Sequence, residues 1–491
     1  MTGVTLGSEK AAREAGANHA ERSSRLRLPT LGAYGAGQLV QDVTQYGLVN
    51  LLLFYLTIVC GLSGGAAGLA LGIALVVDAF VDPLVGSLSD NSRSPLGRRH
   101  PWMAASALPI ALALVMLFSV PAGLKGFGLF AWALVALLAV RVGLSGFTIP
   151  YIALGAELTD DYSERSLVVA SRMIFTVLAQ LIGVFLAFGL FMKGFDGRTH
   201  RDAYPPFAIT CAVVVLAAAA LSTLGTLRSR SRLHAAPPAK GEPLGRLLAE
   251  VIEVFRNPSF RVLFLACLIL FIGLGVATSL TLHANTYFWG LSSKSIIIVT
   301  WGYTVGMLAG VFIVGSLGKV MEKRTMALFG IGLIGLCQLV PALLKVAGII
   351  PPAAYVPTLM ASLALIGIGS GFSTIGFQSM MADAADEHEE LFGARREGLY
   401  FAGISLSAKA SSGVGALIAG LLLDLIGFPH GIGSAHAALA VPPEAVRNLG
   451  LLYGPGASVI TGISVVTLLG YRRGRAEHAA TLEALKLRRA P

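Results

Sequence analysis

A chain of 491 residues that is 55% hydrophobic and only 13% charged, with a mean hydropathy of +0.74, is too apolar for a soluble globular protein and too long for one small domain. The expected class is an all-α membrane protein. The net charge of +10 needs no nucleic-acid partner, because once spans are assigned 27 of the 37 lysines and arginines fall on one side of the bilayer and seven on the other.

Residues 1–30 are polar and charged and lack the short apolar core and cleavage site of a removable leader, so they are expected to form a cytoplasmic N-tail. Apolar runs of bilayer length then predict helices at 34–59, 66–88, 102–122, 129–153, 167–192 and 206–226, a six-helix bundle over 31–227. A polar segment follows from Arg228. Its first half carries Pro and Gly as a linker would, while Leu244 to Phe255 has the apolar spacing of a short amphipathic helix. Residues 228–258 are therefore expected to join the bundles along the cytoplasmic face. Six further spans, at 260–284, 295–316, 326–345, 354–381, 399–426 and 450–470, make a second bundle over 259–470, and 471–491 form a C-tail. The basic residues place both termini in the cytoplasm of a multi-pass protein of the cell inner membrane.

The two halves echo each other. GSLSDNSRSPLGRRHPW follows the second span and GSLGKVMEKRT the eighth, the trace of a repeated six-helix unit of the kind that binds substrate between repeats and works by rocking halves. Asp90 closes a helix there, and Arg93, Arg98 and Arg99 can reach neighbouring helix ends or lipid phosphates. Glycines are dense in span ten, at Gly367, Gly369, Gly371 and Gly376, where they favour close helix packing, with a gating hinge as the second reading. Cys60, Cys211, Cys267 and Cys337 have neither C-x-x-C spacing nor nearby histidines and read as small buried hydrophobes.

Charges inside the spans carry the functional signal, since each costs at least about 2.5 kcal/mol at bilayer depth. Asp78 and Asp82 lie one turn apart on one helix face, with Pro83 freeing a carbonyl beside them. Two close carboxylates cannot both ionise in a dry site without a counter-charge, so the pair is expected to hold a cation or a proton. Three basic residues can answer them: Arg141 in span four, Arg172 in span five and Lys409 in span eleven. A pair between Lys409 and the aspartates would bridge the two halves. Arg141 and Thr148 share a face of span four, where the arginine can fork onto substrate or pair internally with Asp42. Gln38, Asp42 and Gln45 form a polar face on span one, suited to hydrogen bonding a substrate, and Gln378 in span ten can join it. Trp132, Tyr151 and Phe175 can supply a stacking wall or ordinary packing.

These residues resemble a known family. DAFVDPLVGSLSDNSRSPLGRRHPW is similar to the second-span motif of the glycoside-pentoside-hexuronide:cation symporters, a branch of the major facilitator superfamily. GAYGAG, FTIPYIALGAEL, SERSLVVASRMIF and EGLYFAGISLSAKASSG extend the likeness from residue 31 to about 470. The resemblance implies that Asp78 and Asp82 are cation-binding aspartates, Lys409 their neighbouring lysine, Ser145 a hydroxyl of the cation site and Arg172 a sugar contact. The chain also departs from the family's melibiose carriers. Gly37 and Thr148 stand where those carriers have sugar-binding aspartates, Ile152 where they have a tryptophan, and Val81 where they have a polar cation-site residue. Melibiose is thereby disfavoured as substrate, and a proton becomes a rival to Na⁺.

The resulting expectation is a twelve-helix major-facilitator fold, not an enzyme, that needs no cofactor beyond a coupling ion, Na⁺ or H⁺. Working as a monomer in the lipid bilayer, it would move a sugar, glycoside or uronide by alternating access. The cation site is expected at Asp78, Asp82, Ser145 and Thr148, with Lys409 as the coupling residue. The substrate site is expected at Gln38, Asp42, Gln45, Arg141, Thr148, Arg172 and Gln378. An anionic or amphiphilic substrate such as a lysophospholipid is the alternative. A non-transporting receptor would have lost the intramembrane charges, and a membrane enzyme would need a nucleophile or metal set that His283 alone does not supply.

Overall fold

The computed structural model describes residues 26–159, 161–227, 252–317, 320–393, 396–432 and 441–489. Among the described residues, twelve helices are long and apolar enough to cross a membrane. They are α1 (Leu28–Val59), α2 (Gly64–Asp90), α3 (His100–Phe118), α4 (Gly126–Glu157), α5 (Ser163–Phe191), α6 (Arg201–Leu227), α7 (Pro258–Phe288), α8 (Ser293–Leu317), α9 (Lys323–Val346), α10 (Pro352–Phe392), α11 (Glu397–Leu425) and α12 (Pro443–Leu469). A final helix, α13 (Arg475–Arg489), lies beyond them. Helix is the only open-ended element whose backbone groups are all satisfied within lipid.

Local signals explain where the helices begin and stop. Asp161 caps α5 by accepting from the Glu164 amide at 2.9 Å, and Asn257 caps α7 by accepting from the Ser259 amide at 2.8 Å. Gly393, at φ 77°, ends α10 in the left-handed conformation that glycine adopts without strain. The proposed amphipathic helix of the linker lies mostly outside the described residues, of which 252–256 are helical. Span ten runs on past its expected end at 381 to Phe392, because its charged last turns leave the apolar layer and find partners on neighbouring helices.

Within each half, α1 packs on α5 and α6, α2 on α4 and α3 on α4 and α6; the second half repeats this with α7 on α11 and α12, α8 on α10 and α9 on α10 and α12. The repeat extends to ion pairs on the face that carries the termini. Arg98 and Arg99, before α3, reach Glu157 at the end of α4 at 2.8 and 3.0 Å, and Arg99 also pairs with Asp90. At the matching place Lys323, opening α9, reaches Asp383 on α10 at 2.7 Å. Arg473, leading into α13, adds a 2.8 Å pair to Glu387.

The bundles meet through α1 with α7, α2 with α11, and α5 with α8. Hydrogen bonds tie them together on the face opposite the termini. Asp424 of α11 accepts from the Gly64 and Gly65 amides at the start of α2, both at 2.7 Å. Thr57 Oγ1 and His283 Nε2 lie 3.0 Å apart, and the Gly431 amide donates to the Thr57 carbonyl at 2.9 Å. Arg198, on a short helix Gly194–Thr199 between α5 and α6, donates to Thr286 and to the Leu291 carbonyl, and burial pushes its guanidinium down to about 10. Ser293 returns a bond to the Met192 carbonyl at 2.8 Å. On this face the ends of α1, α5 and α7 widen into π turns at Tyr55–Val59, Phe185–Phe191 and Ala284–Phe288, a distortion often found at working sites.

Candidate functional site

Helix α2 carries its two carboxylates on the side away from lipid: Asp78 is 6% exposed, whereas Phe80, two residues on, is 75% exposed. Helix α4 crosses α2 at this level, because Arg141 and Ser145, four residues apart, match the spacing of the aspartates. Arg141 Nη1 donates to Asp78 Oδ2 at 3.1 Å, and Ser145 Oγ donates to Asp82 Oδ1 at 2.6 Å. From the other bundle, Lys409 Nζ donates to the second oxygen of Asp82. Each carboxylate therefore has its own cation, and one pair of the two spans the interface.

This arrangement revises one internal pairing. Arg141 engages Asp78 rather than Asp42, and its side chain is 7% exposed. Its Nε and the Thr148 hydroxyl are buried without a hydrogen-bond partner among the described residues. Thr148 lies three residues beyond Ser145, on the same side of α4.

A second polar group joins α1 to α5. Gln38 Nε2 donates to both oxygens of Asp42 at 3.1 Å, and Arg172 Nε donates to Gln38 Oε1 at 3.0 Å. Aromatics floor this group: Tyr34 stacks on Tyr151 with centroids 4.7 Å apart, and the Arg172 guanidinium lies 5.7 Å from the Tyr151 ring. Gln45 has a buried Oε1 with no hydrogen-bond partner among the described residues, and Gln378 is exposed on α10. The structure thus joins Gln38, Asp42 and Arg172, groups Asp78, Asp82, Arg141, Ser145 and Lys409, and brings Gln378 into neither set by hydrogen bonding.

Packing explains one departure noted in the sequence. A Cβ at Gly37 would stand 2.5 Å from the Tyr151 ring and 2.6 Å from Ser222 Oγ, so the close fit of α1 on α4 and α6 leaves no room for a carboxylate there. Trp132 is not part of the site; its indole nitrogen donates to the Met116 carbonyl of α3 at 3.1 Å. Phe175 packs where a Gly35 Cβ would stand 2.5 Å from it, again helix contact. Sequence reasoning missed Tyr34 and Asp424. Tyr34 sits inside GAYGAG, whose flanking glycines could have marked a tight aromatic contact, and Asp424 is a carboxylate following the apolar run Val414–Leu423 at the end of its helix.

A family model described as MFS/sugar transport protein matches residues 33–472. The isoprimeverose transporter of Lactiplantibacillus pentosus is 26% identical over 426 residues, covering 87% of this chain and 85% of that protein. The inner membrane symporter YicJ of Escherichia coli is 23% identical over 398 residues, with coverage of 80% and 82%. A Synechocystis protein named as uncharacterized symporter sll1374 is 30% identical over 185 residues, which span 37% of this chain and 34% of that one. Among solved structures, a POT family transporter in complex with 5-aminolevulinic acid aligns with a TM-score of 0.60 at 15% identity, covering 90% of this chain and 96% of that one. The nucleoside transporter NupG aligns at 0.56 and 14%, covering 90% and 99%. At such identities these structures speak for the fold alone. The family model, which spans both bundles, and the symporters that share their sequence place this chain among the transporters rather than the enzymes: it belongs to the MFS/sugar transport protein family, as a member of the glycoside-pentoside-hexuronide type.

Proposed function

We propose that the protein couples entry of a monovalent cation, Na⁺ or H⁺, to uptake of a sugar, glycoside or uronide across the bacterial inner membrane, with the termini cytoplasmic. The observation that carries this reading is the shared carboxylate of Asp82, bonded to Ser145 in its own bundle and to Lys409 in the other. An ion pair across a moving interface must break for the halves to part, and breaking it strands a charge unless something replaces the lysine. A proton on Asp82 would release Lys409 by neutralising its partner. A sodium ion would do so by taking the Asp82 oxygens with the Ser145 and Thr148 hydroxyls, an all-oxygen set suited to a hard cation. Arg141 meanwhile holds Asp78 in place through its 3.1 Å hydrogen bond.

Substrate is assigned to the other polar group. Gln38, Asp42 and Arg172 offer an amide, a carboxylate and a guanidinium over the Tyr34–Tyr151 stack, the mix that hydroxyl-rich rings use for bidentate hydrogen bonds and ring stacking.

The test is substrate-driven Na⁺ or H⁺ uptake in proteoliposomes containing the full chain, screened with xylosides, glucosides, galactosides and glucuronides. Coupled uptake should appear with at least one sugar and vanish in Asp82→Asn. Coupled uptake that survives Asp82→Asn together with Lys409→Gln would overturn the assignment.

A further inference from the structure

His388 stands in the charged last turns of α10, past the apolar layer, yet its side chain is fully buried. The ring packs against Phe392 of its own helix, with centroids 4.6 Å apart, and against Tyr400 of α11 at 5.7 Å. Among the described residues neither Nδ1 nor Nε2 has a hydrogen-bond partner. Buried polar groups nearly always find one, so two bare nitrogens on one ring call for a reason. Neither the cation group nor the sugar group uses this residue.

The ring belongs to a chain of aromatic contacts that begins in the segment joining the bundles. Phe255, in the helical stretch 252–256, meets Phe260 and Phe264 of α7 edge to face at 5.1 and 5.3 Å. Phe260 meets Tyr400 at 4.7 Å, and Tyr400 meets His388. Val254 is 2% exposed in the same apolar core, which also takes in Tyr400 and Ala384. Asn257 secures this turn by capping α7 and by donating from Nδ2 to the Ala384 carbonyl of α10 at 3.3 Å. The last turn of the linker is thus docked on the ends of α10 and α11, and His388 lies in the same dry junction.

A charge on that ring would be poorly met. Burial weighs most against it; Glu253 of the linker favours a charge, and Arg396, ahead of α11, opposes one. On α10 itself Glu387 is taken by Arg473 at 2.8 Å, the Glu390 carbonyl accepts from Arg488 of α13 at 2.6 Å, and Glu389 is half-buried. The docked junction therefore holds a neutral imidazole and disfavours an imidazolium. Released into water, the ring titrates near the ordinary histidine value of about 6.5. Docked His388 binds a proton less well than released His388, so docking is fully present above that value and is lost as pH falls below it.

We propose that His388 is a pH-sensitive pin for the linker: neutral, it lets residues 252–256 dock on α10 and α11, and protonated, it releases them. Release frees about one turn of chain between the bundles. Acid on the face that carries the termini thereby slackens the connection between the two halves.

The experiment places a reporter at Val254→Cys in the full-length protein in detergent and follows its labelling by a maleimide. Rates are normalised to those of free cysteine at the same pH, and the parent without the reporter supplies the background of the native cysteines. Labelling should accelerate about tenfold between pH 7.5 and pH 5.5, the change in the released population expected when only the released ring takes up the proton. Adding His388→Leu should leave labelling slow at both values, and His388→Gln repeats the test should the leucine variant fail to fold. His478→Gln removes the histidine that lies 3.3 Å from Asp383 at this end of α10, and the acceleration should survive it. Labelling that does not change with pH, an acceleration that persists without His388, or one that is lost with His478→Gln overturns the proposal.

Discussion

Helices α2 and α4 of the first bundle and α8 and α10 of the second occupy equivalent places in the repeat, yet they are held together by different means. Between α2 and α4 the contact is made by side chains: Arg141 on Asp78, Ser145 on Asp82. Between α8 and α10 it is made by backbone, with Gly302, Gly306, Gly367 and Gly371 letting the two chains touch. Under the proposed function the first kind of contact is the one that would respond to a cation or proton, because its strength depends on charge. The second kind would not. The two halves thus differ in how their helices are held, and Lys409 of the second reaches across to Asp82 of the first.

Breaking the responsive contact should have the largest effect. Arg141→Met leaves the buried Asp78 carboxylate without its guanidinium, and removing one member of a buried pair costs about 3 kcal/mol or more. Thermal unfolding in detergent should show a marked fall, recovered in large part by adding Asp78→Asn. A single Arg141→Met variant as stable as the parent would mean that the pair contributes nothing to the α2–α4 contact. Next comes Arg172. Arg172→Gln removes a charged donor from the α1–α5 group and should weaken sugar affinity by about tenfold, the worth of one charge-assisted hydrogen bond. Stimulation of the residual uptake by the cation should be unchanged, since Arg172 bonds to Gln38 and not to Asp82. Loss of cation dependence in this variant would merge the two groups that the geometry separates.

The smallest expected effect lies at the clasp on the face opposite the termini. Asp424→Asn keeps the size of the side chain but weakens two hydrogen bonds to the start of α2, at a partly exposed position where a carboxylate and a helix N-terminus gain about 0.5–1 kcal/mol. Thiol labelling of a cysteine placed at Phe54, buried beneath the clasp, should then become a few-fold faster from outside. Unchanged labelling would show that the remaining bonds of Arg198 and Thr57 suffice to hold the outer face closed.

The number of spans, the two-half repeat and the depth of Asp78 and Asp82 in the membrane were legible in the sequence, because each rests on composition and spacing along the chain. Lipid forces any spanning segment into helix, and a carboxylate at that depth is conspicuous in a chain with so few charges. The reach of α10 beyond the membrane was not legible, since charged residues after an apolar run look like a loop until Lys323 and Arg473 are seen to meet them. Which cation serves which carboxylate was also hidden. Arg141 could have turned to Asp42 as readily as to Asp78 by spacing along its own helix, and only the crossing of α4 over α2 decides between them.

Sequence alone therefore determined that the chain spans the membrane twelve times and which charges lie at membrane depth. Tertiary structure decided the pairing of those charges, the fit of Gly37 against Tyr151 and the clasp from Asp424. The physical reason is one of range. Hydropathy and ionisation costs are paid residue by residue and can be read along the chain, whereas a hydrogen bond, a backbone contact or a cavity exists only where helices distant in sequence come within a few ångströms of one another.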